Sequence, residues 1–347
     1  MCERILKYLL LSLMAISFVG CKDDEPEPEP EVPVEEGHAV FVLNEGTFQW
    51  GNASLSHIKL TTNEVQEDVF APANNRPVGD VLQSAAMIDG KIWLVVNNSQ
   101  KIERIDPKTA VAISPIEGLQ SPRYMLEAKP GKVYVTDLYA NRIHVINSSN
   151  GTVSGSIETR GWTEELLLHN GLVWVCNTDL DKLFVIDPNT DQIVDSVQVG
   201  DKPRSIKKDL AGKLWVLCEG EIPPAETAGS LMKVDPETRA VLQTFTMPSV
   251  TDHPTRLQTN VSGSEIYFLL NGVYKMNIQS TALPTSPWIA SNGRVFYGLG
   301  IHAGDESVWV SDARDYVQKG KVYRYNQQKN EIGSWDVGVI PGSFYFY

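Results

Sequence analysis

Apolar and polar residues alternate along this chain in short bursts, and the bursts recur. A triplet of the form apolar, aromatic, apolar appears as Val40-Phe41-Val42, Ile92-Trp93-Leu94, Val133-Tyr134-Val135, Val173-Trp174-Val175, Leu214-Trp215-Val216, Ile266-Tyr267-Phe268 and Val308-Trp309-Val310. The central aromatics are 52, 41, 40, 41, 52 and 42 residues apart. β-Branched and aromatic residues in short runs predict strands, and self-similarity near 40 residues predicts a radially repeated sheet. After most triplets a second strand closes on a turn, at 102–107, 143–148, 183–188 and 231–236; the last two read Val-Ile-Asp-Pro and Lys-Val-Asp-Pro. Asp-Pro is turn chemistry, because Pro sets φ and Asp bonds the backbone ahead of it.

Four short strands per repeat is the spacing of propeller blades. No segment has the 3.6-residue period of a long helix. The expected fold is all-β: a single seven-bladed β-propeller over residues 38–347, with four antiparallel strands per blade, lettered a to d outward from the axis. The chain then opens at strand b of blade one. Its tail, Gly342-Ser343-Phe344-Tyr345-Phe346, resembles strand a of other blades, as in Pro203-Arg204-Ser205-Ile206. That tail is expected to complete blade one and close the ring, removing an open sheet edge.

Residues 1–20 read as a processing signal, with Arg4 and Lys7 ahead of an apolar run at 8–19 that is too short to span a bilayer. The run ends Phe18-Val19-Gly20-Cys21, which resembles the lipobox of bacterial lipoproteins and implies lipidation of Cys21. Residues 21–37 then form an acidic, proline-rich tether, Pro26-Glu27-Pro28-Glu29-Pro30-Glu31 at its centre, expected to stay extended. A lysine and acids directly after the lipidated Cys resemble the export signal of Bacteroidetes surface lipoproteins. The expected location is the outer membrane, lipid-anchored and facing the exterior.

Net charge is −13 for the whole chain, and about half of it lies in the tether. The folded part keeps roughly half, which argues against nucleic acid as a partner. Cys2 leaves with the signal and Cys21 takes the lipid, so Cys176 and Cys218 are the folded part's cysteines, near the ends of corresponding strands in neighbouring repeats; two buried free thiols are expected over a bridge between them.

In this topology the b-to-c and d-to-a loops share one face. The long insertions, at 45–54, 219–229 and 313–320, are all b-to-c loops, whereas the other face has tight turns such as Asp89-Gly90 and Asn170-Gly171. Long loops on a rigid scaffold are where binding usually lives. Strand b ends on that face in Asn44, Asn97, Asp137, Asn177, Glu219, Asn271 and Asp312, and strand a begins near Arg76, Arg123, Arg204, Arg256 and Arg294, with Trp162 in place of Arg in the fourth blade. These residues are expected to ring the mouth of the central channel, although an Asx at a strand end also caps turns. Phe48, Trp50, Tyr124, Tyr139, Trp162 and Tyr316 are expected in or beside the same loops, with Arg314 near them. Flat amphipathic side chains there suit a large ligand or a protein.

The six histidines, His38, His57, His144, His169, His253 and His302, are scattered by the blade register, and only His253 falls on the long-loop face. No nucleophile motif, phosphate loop or nucleotide fingerprint is present. No metal site, cofactor or enzymatic activity is expected.

The repeat, with its Gly-Lys-aromatic strand, Asp-Pro-x-Thr turn and Pro-Arg at strand a, resembles the YncE-like propellers. Its opening Val40-Phe41-Val42-Leu43-Asn44-Glu45-Gly46 and its leader are similar to those of the BtuG-like surface lipoproteins of Bacteroidetes. That resemblance implies capture of cobalamin or another corrinoid and delivery to a TonB-dependent outer-membrane barrel of the BtuB type. Non-enzymatic protein or glycan recognition, as in an adhesin or surface-layer component, is the competing expectation. A lactonase- or lyase-type enzyme would need clustered acids with a metal, or His and Glu together at the mouth.

Overall fold

The computed structural model describes residues 39–347, so the signal, Cys21 and the tether fall outside the described residues. The chain forms a ring of seven antiparallel blades. In blade one Ala39–Asn44 is strand b, followed by Ser54–Lys59 and Val65–Gln66, and the C-terminal Pro341–Phe346 pairs on its inner side as strand a. Ala39 and Tyr347 exchange backbone hydrogen bonds of 3.0 and 2.9 Å, so the ring is closed by both ends of the described chain. They meet on the face opposite the long loops.

Six blades carry four laddered strands. Blade two has three, Leu82–Ile88, Lys91–Val96 and Lys101–Ile105, and its outer strand is reduced to the bridges Ile102↔Ile116 and Ile105↔Ala112. Asn74, at the end of the short helix Phe70–Asn74, substitutes for the missing ladder: its Oδ1 accepts from Ala112 N at 2.7 Å and its Nδ2 donates to Ala110 O at 2.9 Å.

The core lies between blades. Seven apolar clusters each straddle two neighbours; one joins Trp174, Cys176 and Val185 of blade four to Leu214, Val216 and Cys218 of blade five. Strand-b aromatics fill these seams, Trp93, Trp174, Trp215 and Trp309 being fully buried. Burial of a large apolar side chain contributes about 1.5–3 kcal/mol. Four of the aromatics also have a cation on the directly opposite residue of strand c: Arg104 over Trp93, Lys233 over Trp215, Lys275 over Tyr267 and Arg324 over Trp309. The cross-strand register thus repeats a cation–π pair around the ring. Cys176 and Cys218 are buried and free.

Tight turns of the other face behave as their sequences require. Asp89-Gly90 and Asn170-Gly171 have positive φ at both positions (49° and 70°, 48° and 76°), as two-residue hairpins of matching twist need.

Candidate functional site

Every strand a opens with a β-bulge beside the end of strand b, all on the long-loop face. The bulged residue turns inward, and the seven are Gly342, Gln83, Arg123, Glu164, Arg204, Arg256 and Tyr297. These positions, not every arginine near a strand start, make the mouth of the channel.

The side chains at these positions pair with one another or with glutamates beside them. Arg123 donates through Nε to Glu164 Oε1 at 2.9 Å and through Nη1 to Gln83 Oε1 at 2.5 Å. Arg204 reaches Glu219 at 2.7 Å and lies 3.6 Å from Glu164. Across the channel Arg256 donates to Glu45 Oε1 at 3.3 Å, and the Tyr297 hydroxyl donates to Glu45 Oε2 at 2.9 Å. Gly342 explains how Glu45 gets there: a Cβ on that residue would overlap the Glu45 carboxyl, so blade one leaves its own position empty and its b-to-c loop fills it. Tyr124, one residue past the bulge of blade three, points into the channel and joins the two halves. Its hydroxyl lies 3.5 Å from Gln83 Nε2 and 3.4 Å from Arg256 Nη1. Burial pushes the Tyr124 phenol up to about 12, against the pull of Arg256. Burial alone would lower Arg256; Tyr124, Tyr297 and Glu45 outweigh it and raise it. The channel is therefore stoppered by a neutralised, hydrogen-bonded plug.

Several expected site residues lie elsewhere. Arg76 is not on strand a: it forks onto Glu103 of blade two at 2.7 and 2.8 Å and covers Phe70. Arg294 stacks on Tyr323 at 3.8 Å and bonds Tyr325, away from the axis. Glu164, not Trp162, occupies the arginine position of blade four, and Tyr124 is a channel residue rather than a loop aromatic. The strand-b ends Asn97, Asp137, Asn177 and Asp312 are buried and hydrogen-bonded to the adjoining loops or to the next blade. Asp137 accepts from the backbone N–H groups of Gln120, Ser121, Tyr139 and Ala140 and lies 3.1 Å from His144 Nε2. Burial would raise its pKa, but His144 and these N–H groups hold it below the usual carboxylate range. Asn97 donates to Ser121 and Pro122, Asn177 to Thr159 O, and Asp312 accepts from Val295 N and Arg314 N. Asn271 is exposed in a tight turn, accepting from Tyr274, and Arg314 points outward to Asp336 at 2.9 Å.

What the face does offer is a crown of apolar loop tips around the plug. Trp50 and Tyr139 are each 65% exposed, Phe48 59% and Tyr316 44%; Val317, next to Tyr316, and Ile222, on the 219–229 loop, are exposed as well. The loops are braced. Gln49 N donates to Asp80 Oδ2 and Thr47 N to Asn52 Oδ1, both at 2.8 Å, and Thr47 Oγ1 reaches across to Tyr316 O. In the 219–229 loop Thr227 Oγ1 binds Asp201 at 2.7 Å, and His253 Nδ1 donates to Glu219 O at 2.9 Å. Preformed loops lower the ordering cost of binding. A separate open groove, with an empty volume of about 420 Å³ including solvent, lies off the axis between blades five and six, lined by Met247, Phe268, Tyr274 and Leu283 among others. Among the described residues no group of three or more His, Cys, Asp or Glu is placed to hold a metal ion.

Sequence reasoning missed Gln83, Glu164, Tyr297 and the inward reach of Glu45. A signal for the first three existed: ring residues lie ten to twelve positions before the strand-b aromatic, whereas Arg76 lies seventeen before Trp93 and Arg294 fifteen before Trp309.

Residues 38–342 match the family described as a domain of unknown function, DUF5074. The chain belongs to the DUF5074 family. No curated protein matches it. Among solved structures this DUF5074 chain is similar to a quinoprotein alcohol dehydrogenase-like protein of Bacteroides thetaiotaomicron, at TM-score 0.69 and 13% identity over 89% of this chain and 78% of that one. A candidate 6-phosphogluconolactonase of Bacteroides fragilis matches at TM-score 0.65 and 13% identity, over 92% and 100%. Hydrazine synthase of Kuenenia stuttgartiensis matches at TM-score 0.60 and 11% identity, over 75% and 87%. At such identities the likeness is one of propeller fold.

Proposed function

We propose that this DUF5074 propeller is a non-enzymatic capture protein that holds a broad, flat ligand on its long-loop face, and that the ligand is cobalamin or another corrinoid. The observation that carries the reading is the crown: Phe48, Trp50, Tyr139 and Tyr316 stand exposed on braced loops around a channel that its own side chains have stoppered. A stoppered channel gives a polar floor rather than a deep cleft. A corrinoid is a wide disc rimmed with amides, whose faces the aromatics can cover and whose rim can meet the floor's guanidiniums and carboxylates. Binding is favoured over catalysis because the acids at the mouth, Glu45, Glu164 and Glu219, are each committed to an arginine.

In this reading Cys21 carries the lipid, the tether leads to Ala39 on the opposite face, and the crown is left free at the cell surface. Handover to a TonB-dependent outer-membrane barrel would follow capture. Calorimetry of the protein with cyanocobalamin tests the proposal: one-to-one binding, weakened by Trp50→Ala and Tyr139→Ala, is expected. No heat at high micromolar ligand would overturn it. The same flat floor favours a second reading, recognition of a protein or glycan surface, and that reading would then stand.

A further inference from the structure

The seam of blades four and five holds two donors for which the described residues supply no acceptor. Trp162 Nε1 and Arg204 Nε are both buried and make no hydrogen bond. They belong to touching side chains, since Arg204 Cζ stands 4.0 Å from the Trp162 ring centroid. Arg123 Cζ lies 5.9 Å from the same ring. The other nitrogens of Arg204 face carboxylates, Nη2 at 2.7 Å from Glu219 and Nη1 at 3.6 Å from Glu164. The backbone of Trp162 is held on both sides: its N–H donates to Asp179 Oδ2 at 2.9 Å and its carbonyl accepts from Thr178 N at 2.8 Å. Gly161 before it has φ 143°, and a Cβ there would stand 2.9 Å from Asp179 Cβ. The backbone that carries the indole is therefore fixed, and the guanidinium on its long stem is the part that can move.

A buried donor left unmade forfeits its hydration with nothing in return, so two on touching side chains are an unusual feature for a folded chain to keep. We infer that Trp162 and Arg204 form an acceptor subsite for an amide carbonyl or carboxylate oxygen of the captured ligand. Arg204 swings off the indole, the oxygen enters between them, and Trp162 Nε1 and Arg204 Nε both donate to it. Glu164 and Glu219 already neutralise the neighbouring guanidiniums, so a neutral amide oxygen suffices. This inference rests on the capture role and names the group that the rim recognises.

The indole N–H signals of ¹⁵N-labelled protein test it, the Trp162 signal being identified by its loss in Trp162→Phe. With cyanocobalamin as probe, the Trp162 signal moves downfield, and Trp162→Phe, which keeps a ring under Arg204, binds about tenfold more weakly at an unchanged melting midpoint, the worth of roughly one hydrogen bond. Binding with the Trp162 signal unmoved, or equal affinity in Trp162→Phe, overturns the subsite and leaves capture standing. If cyanocobalamin does not bind at all, corrinoid capture falls, and N-methylacetamide and acetate become the probes. A saturable shift of the Trp162 signal with either supports the subsite and tells amide from carboxylate; no shift with both overturns it.

Discussion

The Tyr124 hydroxyl of blade three accepts from Arg256 Nη1 of blade six at 3.4 Å, spanning the channel from one side of the ring to the other. The contact converts a hole into a floor. Through Gln83 on one side and Glu45 on the other it links blades that share no seam, so the plug braces the ring as well as closing it.

Removing the two ends of this bridge should have unequal effects. Tyr124→Phe deletes one hydroxyl and is expected to cost about 1 kcal/mol. Arg256→Ala leaves the Glu45 carboxylate without its cation and is expected to cost about 3 kcal/mol. Urea unfolding of the two variants reads the difference, and equal costs would mean that the Glu45 charge is compensated elsewhere.

Gly342→Ala puts a methyl where the Glu45 carboxyl sits. The expected cost is about 1–3 kcal/mol. Adding Glu45→Ala removes the obstruction, so the double variant should be more stable than the sum of the two single effects predicts. Additive effects in a thermodynamic cycle would contradict the steric account.

Crown and core aromatics should separate cleanly. Trp50→Ala and Tyr139→Ala alter exposed tips and should change unfolding free energy by less than about 0.5 kcal/mol while weakening ligand binding. Trp215→Ala empties a blade seam and should cost about 3–5 kcal/mol. Paired unfolding and binding measurements on all three variants check this.

Asp137 gives a pH dependence of known sign. Its folded pKa is depressed, so its contribution is present above the unfolded value near 3.9 and is lost as pH falls through the lower folded value. Asp137→Asn should therefore be markedly less stable than the parent at pH 7, by about 2 kcal/mol, with the gap narrowing below pH 4. Urea midpoints from pH 7 to pH 3 measure the gap; a constant gap would show that ionisation of Asp137 contributes nothing.

The propeller was legible because it is written locally and seven times. Each triplet and each Asp-Pro or Asp-Gly turn is a short-range feature, and repetition turns weak signals into one architecture. The long loops at 45–54, 219–229 and 313–320 were legible for the same reason, as departures from the repeat. Exposure of Phe48, Trp50 and Tyr316 followed from that placement.

The channel mouth was not written that way. Whether an arginine near strand a faces the axis depends on a bulge of one residue, and one residue reverses the side on which a strand's side chains emerge. Arg123, Arg204 and Arg256 fall on the inward phase, while Arg76 and Arg294, a few positions out of step, turn to Glu103 and Tyr323. The sequence by itself determined the number of blades, the closing strand and the face that carries the loops, because these follow from local pattern and spacing. Only the tertiary structure decided that Glu45 enters through the gap left by Gly342 and that Tyr124 meets Arg256, because those contacts join residues far apart in the chain that the closed ring alone brings together.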